Sequence, residues 1–240
     1  AMTHSYDCSP GKMTGIDGLV SIAKKYDLPV QVDCATLLPP ISNLHYFTDR
    51  GADLVVYSGG KSIRGPNDTG LIVGHGLRGI ELIKAIRDHA SPNDAFGRGY
   101  KVSKEAIVGF LKALELFISR DETVEYKKQW AKAETVMSYL EGIPGVYARI
   151  VPNDETDHEA PVVPHVPRIR LEIDEKAVGM TLPEIYKAMA AEDPPIALRS
   201  VHQLNPFNNR ATTGVDTYFL RDGEEKIVGE RLRKVLTSKR

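Results

Sequence analysis

The sequence predicts an α/β layer followed by a smaller α+β region, and three observations carry that expectation. Short apolar runs alternate with amphipathic helical stretches over residues 14–90. Two of those runs stop abruptly at polar residues, as buried strands of a layered sheet do. Beyond residue 120 the pattern changes to a long polar helix and strands that alternate apolar with charged positions. The expected division is therefore residues 1–120 and residues 121–240.

In the first region, Thr14 to Tyr26 places Ile16, Leu19, Val20, Ile22 and Ala23 on a helical repeat that Asp27 and Pro29 end. Val30-Gln-Val32 is a short strand stopping at Asp33. Pro39-Pro40 breaks the chain, Leu44 to Arg50 reads as a helix closed by Gly51, and Asp53 to Tyr57 is a second buried strand. Leu71 to Gly74 is a third strand. Gly76 to His89 and Ser103 to Ser119 are amphipathic helices, the latter with Ile107, Phe110, Leu111, Leu114 and Phe117 on one face. In the second region, Asp121 to Glu141 is a helix ended by Gly142-Ile-Pro-Gly145, and Val146 to Val151 and Arg168 to Ile173 are strands around an acidic, proline-rich loop, Asn153 to Pro167. Leu182 to Ala191 is a helix, Ile196 to Leu198 a short strand and Gly223 to Leu236 a final helix, giving helices on one face of a small antiparallel sheet. Ala1-Met2 reads as a tag remnant and Cys8-Ser-Pro-Gly-Lys12 as a turn, so the chain is expected to open near the end of an element.

Composition narrows the function classes. With 31 basic and 32 acidic residues the formal charge is −1, which gives no electrostatic reason to expect a nucleic-acid or membrane partner. No apolar run approaches the roughly 20 residues a membrane-spanning helix needs. The two cysteines, Cys8 and Cys34, have no metal-ligand spacing and read as reduced thiols of a cytoplasmic protein. His45, His75 and His89 likewise show no ligand spacing.

The residues that carry chemistry follow the first two strands. Asp33 ends one, and Ser58-Gly-Gly-Lys61 follows the next; they lie 28 residues apart, one strand-helix-strand unit. In an α/β sheet, ligands gather at the carboxyl ends of strands. Alone, such a lysine is a solvated loop residue and such an aspartate a turn cap. Together they are what pyridoxal phosphate (PLP) requires: an amine that must be partly desolvated and close to the cofactor aldehyde, so that it attacks in the neutral form, and a carboxylate to keep the pyridine nitrogen protonated. Gly59 and Gly60 let the backbone turn and pass close to a ligand, and the Ser58 hydroxyl suits a phosphate. Arg199 offers a planar fork for a substrate carboxylate, the alternative being a strand-end arginine in a surface pair. Arg98, Lys101 and Lys104 form a basic cluster before a helix where an anionic substrate could dock, although each alone reads as a solvated helix start. His202 and Arg210 flank an Asn/Pro-rich loop, a candidate lid or a plain structural loop.

Three runs, Val32 to Pro40, Gly51 to Lys61 and Ile63 to Asn67, resemble the fold-type I PLP-dependent enzymes, and within them the selenocysteine-synthase-like branch that includes D-glucosaminate-6-phosphate ammonia-lyases. Gly97 to Glu105 is similar to the same branch. The resemblance is specific over residues 13–120 and looser over 121–240. It implies a partial three-layer PLP-dependent transferase-like large domain followed by a small α+β domain. By it, Lys61 is the Schiff-base lysine, Asp33 the pyridinium partner, Ala35 a small residue under the ring, Ser58 a phosphate ligand and Arg199 the substrate-carboxylate arginine. It also implies β-elimination with ammonia release from an amino acid or amino sugar acid, in a homodimer or larger homo-oligomer. Selenium transfer, transamination, racemisation and aldol chemistry share this hardware, and a non-catalytic homologue or partner subunit is the reading from another class. The family's first strands and phosphate-binding turn have no match here, so the half-sheet is expected to expose hydrophobic faces and to associate tightly.

Overall fold

The computed structural model describes residues 2–5, 14–151, 166–199 and 210–239. These divide into two compact units, one running through Glu122 and the other from Thr123.

The first unit is built on strands β1 (Met2–Ser5), β2 (Val30–Asp33), β3 (Leu54–Ser58) and β4 (Gly70–Gly74), in the order β1-β2-β3-β4. The first three are parallel and β4 is antiparallel. Parallel neighbours need crossovers, and helices α1 (Ile16–Lys25) and α2 (Asn43–Asp49) supply them. Helix α1 buries Ile16, Leu19, Val20 and Ala23, a one-sided helical spacing, against Val30, Val32, Val55 and Tyr57 of the sheet. Helix α4 (Lys104–Ser119) adds Phe110 and Phe117 to this core, and α3 (Gly76–His89) follows β4. Gly51, at φ +96°, makes the left-handed turn from α2 toward β3.

The second unit contains α5 (Glu122–Leu140, beginning at the boundary), the antiparallel sheet β5 (Val146–Val151), β6 (Arg168–Ile173) and β7 (Ala211–Asp216), and helices α6 (Glu175–Val178), α7 (Leu182–Ala190) and α8 (Glu224–Thr237). Alternate residues of β6, Ile169, Leu171 and Ile173, are buried in one core with Ala133 and Val136 of α5, Ile185 and Met189 of α7, and Leu232 and Leu236 of α8.

Four expectations need correction. Residues 196–198 form no strand; Pro194 and Pro195 lack the N–H groups a ladder requires, and only an isolated bridge joins Arg199 to Gly214. Strand β7 was not expected, because its Ala-Thr-Thr-Gly-Val-Asp sequence lacks the apolar alternation that signals a strand, yet Thr212 and Thr213 are buried. Strand β1, Met2–Ser5, which pairs with β2, was not expected either. The first sheet is not buried throughout: β4 alternates toward solvent, with Ile72 exposed. The turn expected at Cys8–Lys12, most of the Asn153–Pro167 loop and His202 with its following loop lie outside the described residues.

Candidate functional site

Asp33 and Lys61 follow from the register of β2 and β3. Asp33 pairs with Val56, and the Cys34 N–H donates to the Val56 carbonyl at 2.8 Å, so the two strands end side by side. Along β2 the even positions Val30 and Val32 are buried and Asp33 is half-buried, which turns it to the face opposite the apolar core. Ser58, two residues beyond Val56, shares that face and is half-buried. One Asp33 oxygen, Oδ1, accepts the Ala35 N–H at 2.9 Å; Oδ2 accepts no hydrogen bond from the described residues. Ala35 is half-buried in the turn that follows. The Cys34 thiol is buried and reduced, and burial, then the neighbouring Asp33 charge, push its pKa far above the ordinary range. That makes Cys34 an inert filler beside the carboxylate.

Lys61 heads a tight turn. Its carbonyl accepts the Arg64 N–H at 2.9 Å, Gly65 N–H donates to the Gly59 carbonyl at 2.8 Å, and Arg64 sits at φ +61°. Its side chain is exposed and makes no hydrogen bond or ion pair with the described residues. The partial desolvation expected of a cofactor lysine is thus not supplied by its described neighbours. The two glycines also have a different reason from the one expected. A Cβ on Gly59 would collide with Thr69 Oγ1 and lie 2.9 Å from Phe110, and one on Gly60 would lie 2.7 Å from the Asn67 Cα. They admit the returning β3–β4 connection and helix α4, so protein atoms fill the space attributed to a ligand.

Sequence reasoning missed the polar groups that join the two loops. Ser62 Oγ donates to the Leu38 carbonyl at 2.5 Å, Asn43 Nδ2 to the Leu37 carbonyl at 2.6 Å, and the Tyr57 hydroxyl to the Asn43 carbonyl at 2.8 Å. Burial pushes the Tyr57 phenol pKa far up, with the neighbouring Cys34 adding to it, so the hydroxyl stays a donor. The only hint in the sequence was a polar side chain, Tyr57, at the end of an apolar run.

The remaining candidates are placed less closely. Arg98 lies in a 3-10 turn (Arg98–Tyr100), 3.6 Å from Asp94. Lys101 is exposed, and Lys104 starts α4 beside Glu105. No hydrogen bond or ion pair among the described residues links these cations to Asp33 or Lys61. In the second unit, the Arg199 N–H donates to Gly214, and its carbonyl accepts the Thr213 hydroxyl at 2.8 Å. Arg199 borders a cavity of about 460 Å³ whose walls include Pro195, Ile196, Leu198 and Ile227. Arg210 stacks 3.5 Å over the Tyr147 ring and lies 3.7 Å from Glu172, a packing role. Among the described residues no His/Cys/Asp/Glu group could hold a metal, and no helix is long and apolar enough to cross a membrane.

No family model matches the chain. Among solved structures, a D-glucosaminate-6-phosphate ammonia-lyase superposes with a TM-score of 0.67 at 25% identity, over 98% of this chain and 56% of that one. The fold is that of the fold-type I PLP-dependent enzymes. Further solved structures at 13–19% identity, with TM-scores of 0.52–0.57, share the fold alone. In sequence, the chain is 27% identical over 231 residues to a D-glucosaminate-6-phosphate ammonia lyase of Salmonella typhimurium, covering 96% of this chain and 55% of the relative. It is 30% identical over 222 residues to a Streptomyces 5'-C-glycyluridine monooxygenase-decarboxylase, covering 92% of this chain and 49% of the relative. These homologues and structural neighbours are PLP-dependent enzymes. The chain spans about half the length of the curated relatives it matches.

Proposed function

We propose that this chain carries the lysine and aspartate of a PLP-dependent lyase that releases ammonia from a 2-amino-3-hydroxy acid, an amino sugar acid being the leading substrate class. The observation that supports it is the side-by-side ending of β2 and β3, with Asp33 on one and the Lys61 turn on the other. The residues present are of the kind PLP needs: a half-buried carboxylate with Oδ2 unengaged by described donors, a small residue at Ala35, a hydroxyl at Ser58 on the carboxylate's face, and an amine at Lys61. Bound PLP supplies an electron sink for charge developing at the substrate Cα. Asp33 holds the proton on the ring nitrogen, and Ser58 donates to the phosphate. Lys61 would hold the cofactor covalently, and its Nζ would accept the substrate Cα proton. The net reaction would lose the β-hydroxyl as water and take up one water at Cα, giving a 2-oxo acid and ammonia. Arg199 anchors the substrate carboxylate, and Arg98 and Lys101 meet an anionic far end.

The exposed apolar side chains of the first unit, among them Leu77, Val108 and Leu111, support a homo-oligomer. The reduced, buried Cys34 suits a cytoplasmic setting. The Streptomyces relative favours a second reading, decarboxylation of an amino acid with dioxygen, on the same two residues. A screen of amino sugar acids, D-amino acids and hydroxy amino acids separates them. Ammonia release without dioxygen uptake supports the lyase; carbon dioxide release with dioxygen uptake selects the second reading; transamination without either rejects both.

A further inference from the structure

We infer that Ser62 and Tyr57 are positioning residues, which tie the segment that follows β2 to β3 and the loop beyond it, and so fix Lys61 relative to Asp33. The inference rests on the cofactor reading above. Asp33 is the last residue of β2, whereas Lys61 lies in the loop after β3, beyond the last strand pair, Asp33 with Val56, and the Cys34 N–H bond to Val56. Beyond that point the separation of the two segments depends on what crosses between them. Ser62, the residue next to Lys61, donates to the Leu38 carbonyl at 2.5 Å. Leu38 follows the Cys34–Leu37 turn, closed by the Leu37 N–H on the Cys34 carbonyl at 3.2 Å, and Cys34 is the residue next to Asp33. A second crossing runs from the Tyr57 hydroxyl to the Asn43 carbonyl at 2.8 Å, and the Asn43 amide donates in turn to Leu37 at 2.6 Å. Tyr57 and Asn43 are 1% and 2% exposed, so water does not compete for these bonds.

Each bond alone satisfies a carbonyl, which is a structural role. Their placement gives them a second one. The first joins the residue beside Lys61 directly to Leu38; the second joins Tyr57, near the end of β3, to Asn43 at the start of α2, whose amide holds Leu37. Displacing a reacting group by about 1 Å can cost about a hundredfold in rate, so a tether at this point controls how the lysine and carboxylate meet one cofactor.

The test measures PLP dissociation by absorbance, well below the unfolding temperature, in the protein and in Ser62→Ala, Ser62→Thr and Tyr57→Phe. Ser62→Ala is expected to weaken PLP binding about tenfold and to shift the absorbance band of bound PLP, with Ser62→Thr restoring both. Tyr57→Phe keeps the ring and is expected to give a smaller loss in the same direction, about threefold; it also serves if Ser62→Ala fails to fold. Variants that lose thermal stability while keeping the dissociation constant and the band unchanged overturn the inference and leave the cofactor reading standing. A parent protein that takes up no PLP overturns the cofactor reading and the inference with it.

Discussion

The two units bury their apolar surface very differently. Of the seventeen exposed large hydrophobic side chains among the described residues, fourteen lie in the first unit and three in the second. In α4 the contrast sits within one helix: Phe110 and Phe117 are buried, while Val108 and Leu111 are 66% and 58% exposed. The second unit encloses its core, with alternate residues of β6 and three helices around it. A surface with this many unpaired apolar groups is costly to leave in water and marks a face meant for contact. The unit that carries Asp33 and Lys61 is therefore the one whose surface calls for covering.

Core truncation should produce the largest effects. Phe117→Ala in the first unit and Leu232→Ala in the second each delete a fully buried side chain and should cost about 3–5 and about 2–5 kcal/mol respectively. Hydrogen exchange read separately over the two units sharpens the comparison. Protection of the first unit should depend on protein concentration, as association linkage requires, and that of the second should not. Concentration independence in both would break the contrast.

A surface substitution should move assembly and little else. Leu111→Glu should change monomer stability by no more than about 0.5 kcal/mol, yet shift the mass measured by analytical ultracentrifugation toward monomer. Phe219→Glu, at an exposed site of the second unit, should leave that mass unchanged.

The smallest effect lies at the start of α7. The Thr181 N–H and hydroxyl donate to Glu184 at 2.8 and 2.9 Å, and Lys239 approaches at 3.1 Å, holding the Glu184 carboxyl down at about 2. A depressed carboxyl stabilises the fold above its unfolded value of 4.5, and that contribution disappears as pH falls through about 2. The Tm gap between the protein and Glu184→Gln should accordingly be present at neutral pH and close over that acidic range. A gap independent of pH would assign the loss to packing alone.

Much of this contrast was legible in the sequence, for identifiable reasons. The helical spacing of Ile16, Leu19, Val20 and Ala23 and the stop of an apolar run at Asp33 both report burial directly, and α1 and β2 follow from them. Strand β7 was hidden because Thr212, Thr213 and Gly214 fill the middle of its buried run, between Ala211 and Val215, and two of them are fitted by partners from elsewhere: Thr213 bonds the Arg199 carbonyl, and Gly214 leaves room for the Ile169 carbonyl. At the site, residue types and spacing pointed to Asp33 and Lys61. They did not point to Ser62, because one hydroxyl reaching a carbonyl 24 positions away leaves no periodic trace. The glycines before Lys61 were noticed but attributed to a ligand, since a sequence cannot distinguish room for a ligand from room for Thr69 and Asn67.

The central claim is that Lys61 captures PLP beside Asp33. Incubation with PLP, reduction with borohydride, digestion and mass spectrometry test it directly. The account predicts a phosphopyridoxyl group on the peptide containing Lys61, absent from Lys61→Ala and reduced in Asp33→Asn. No labelled peptide, or label spread equally over Lys61 and the exposed Lys101 and Lys104, would contradict it.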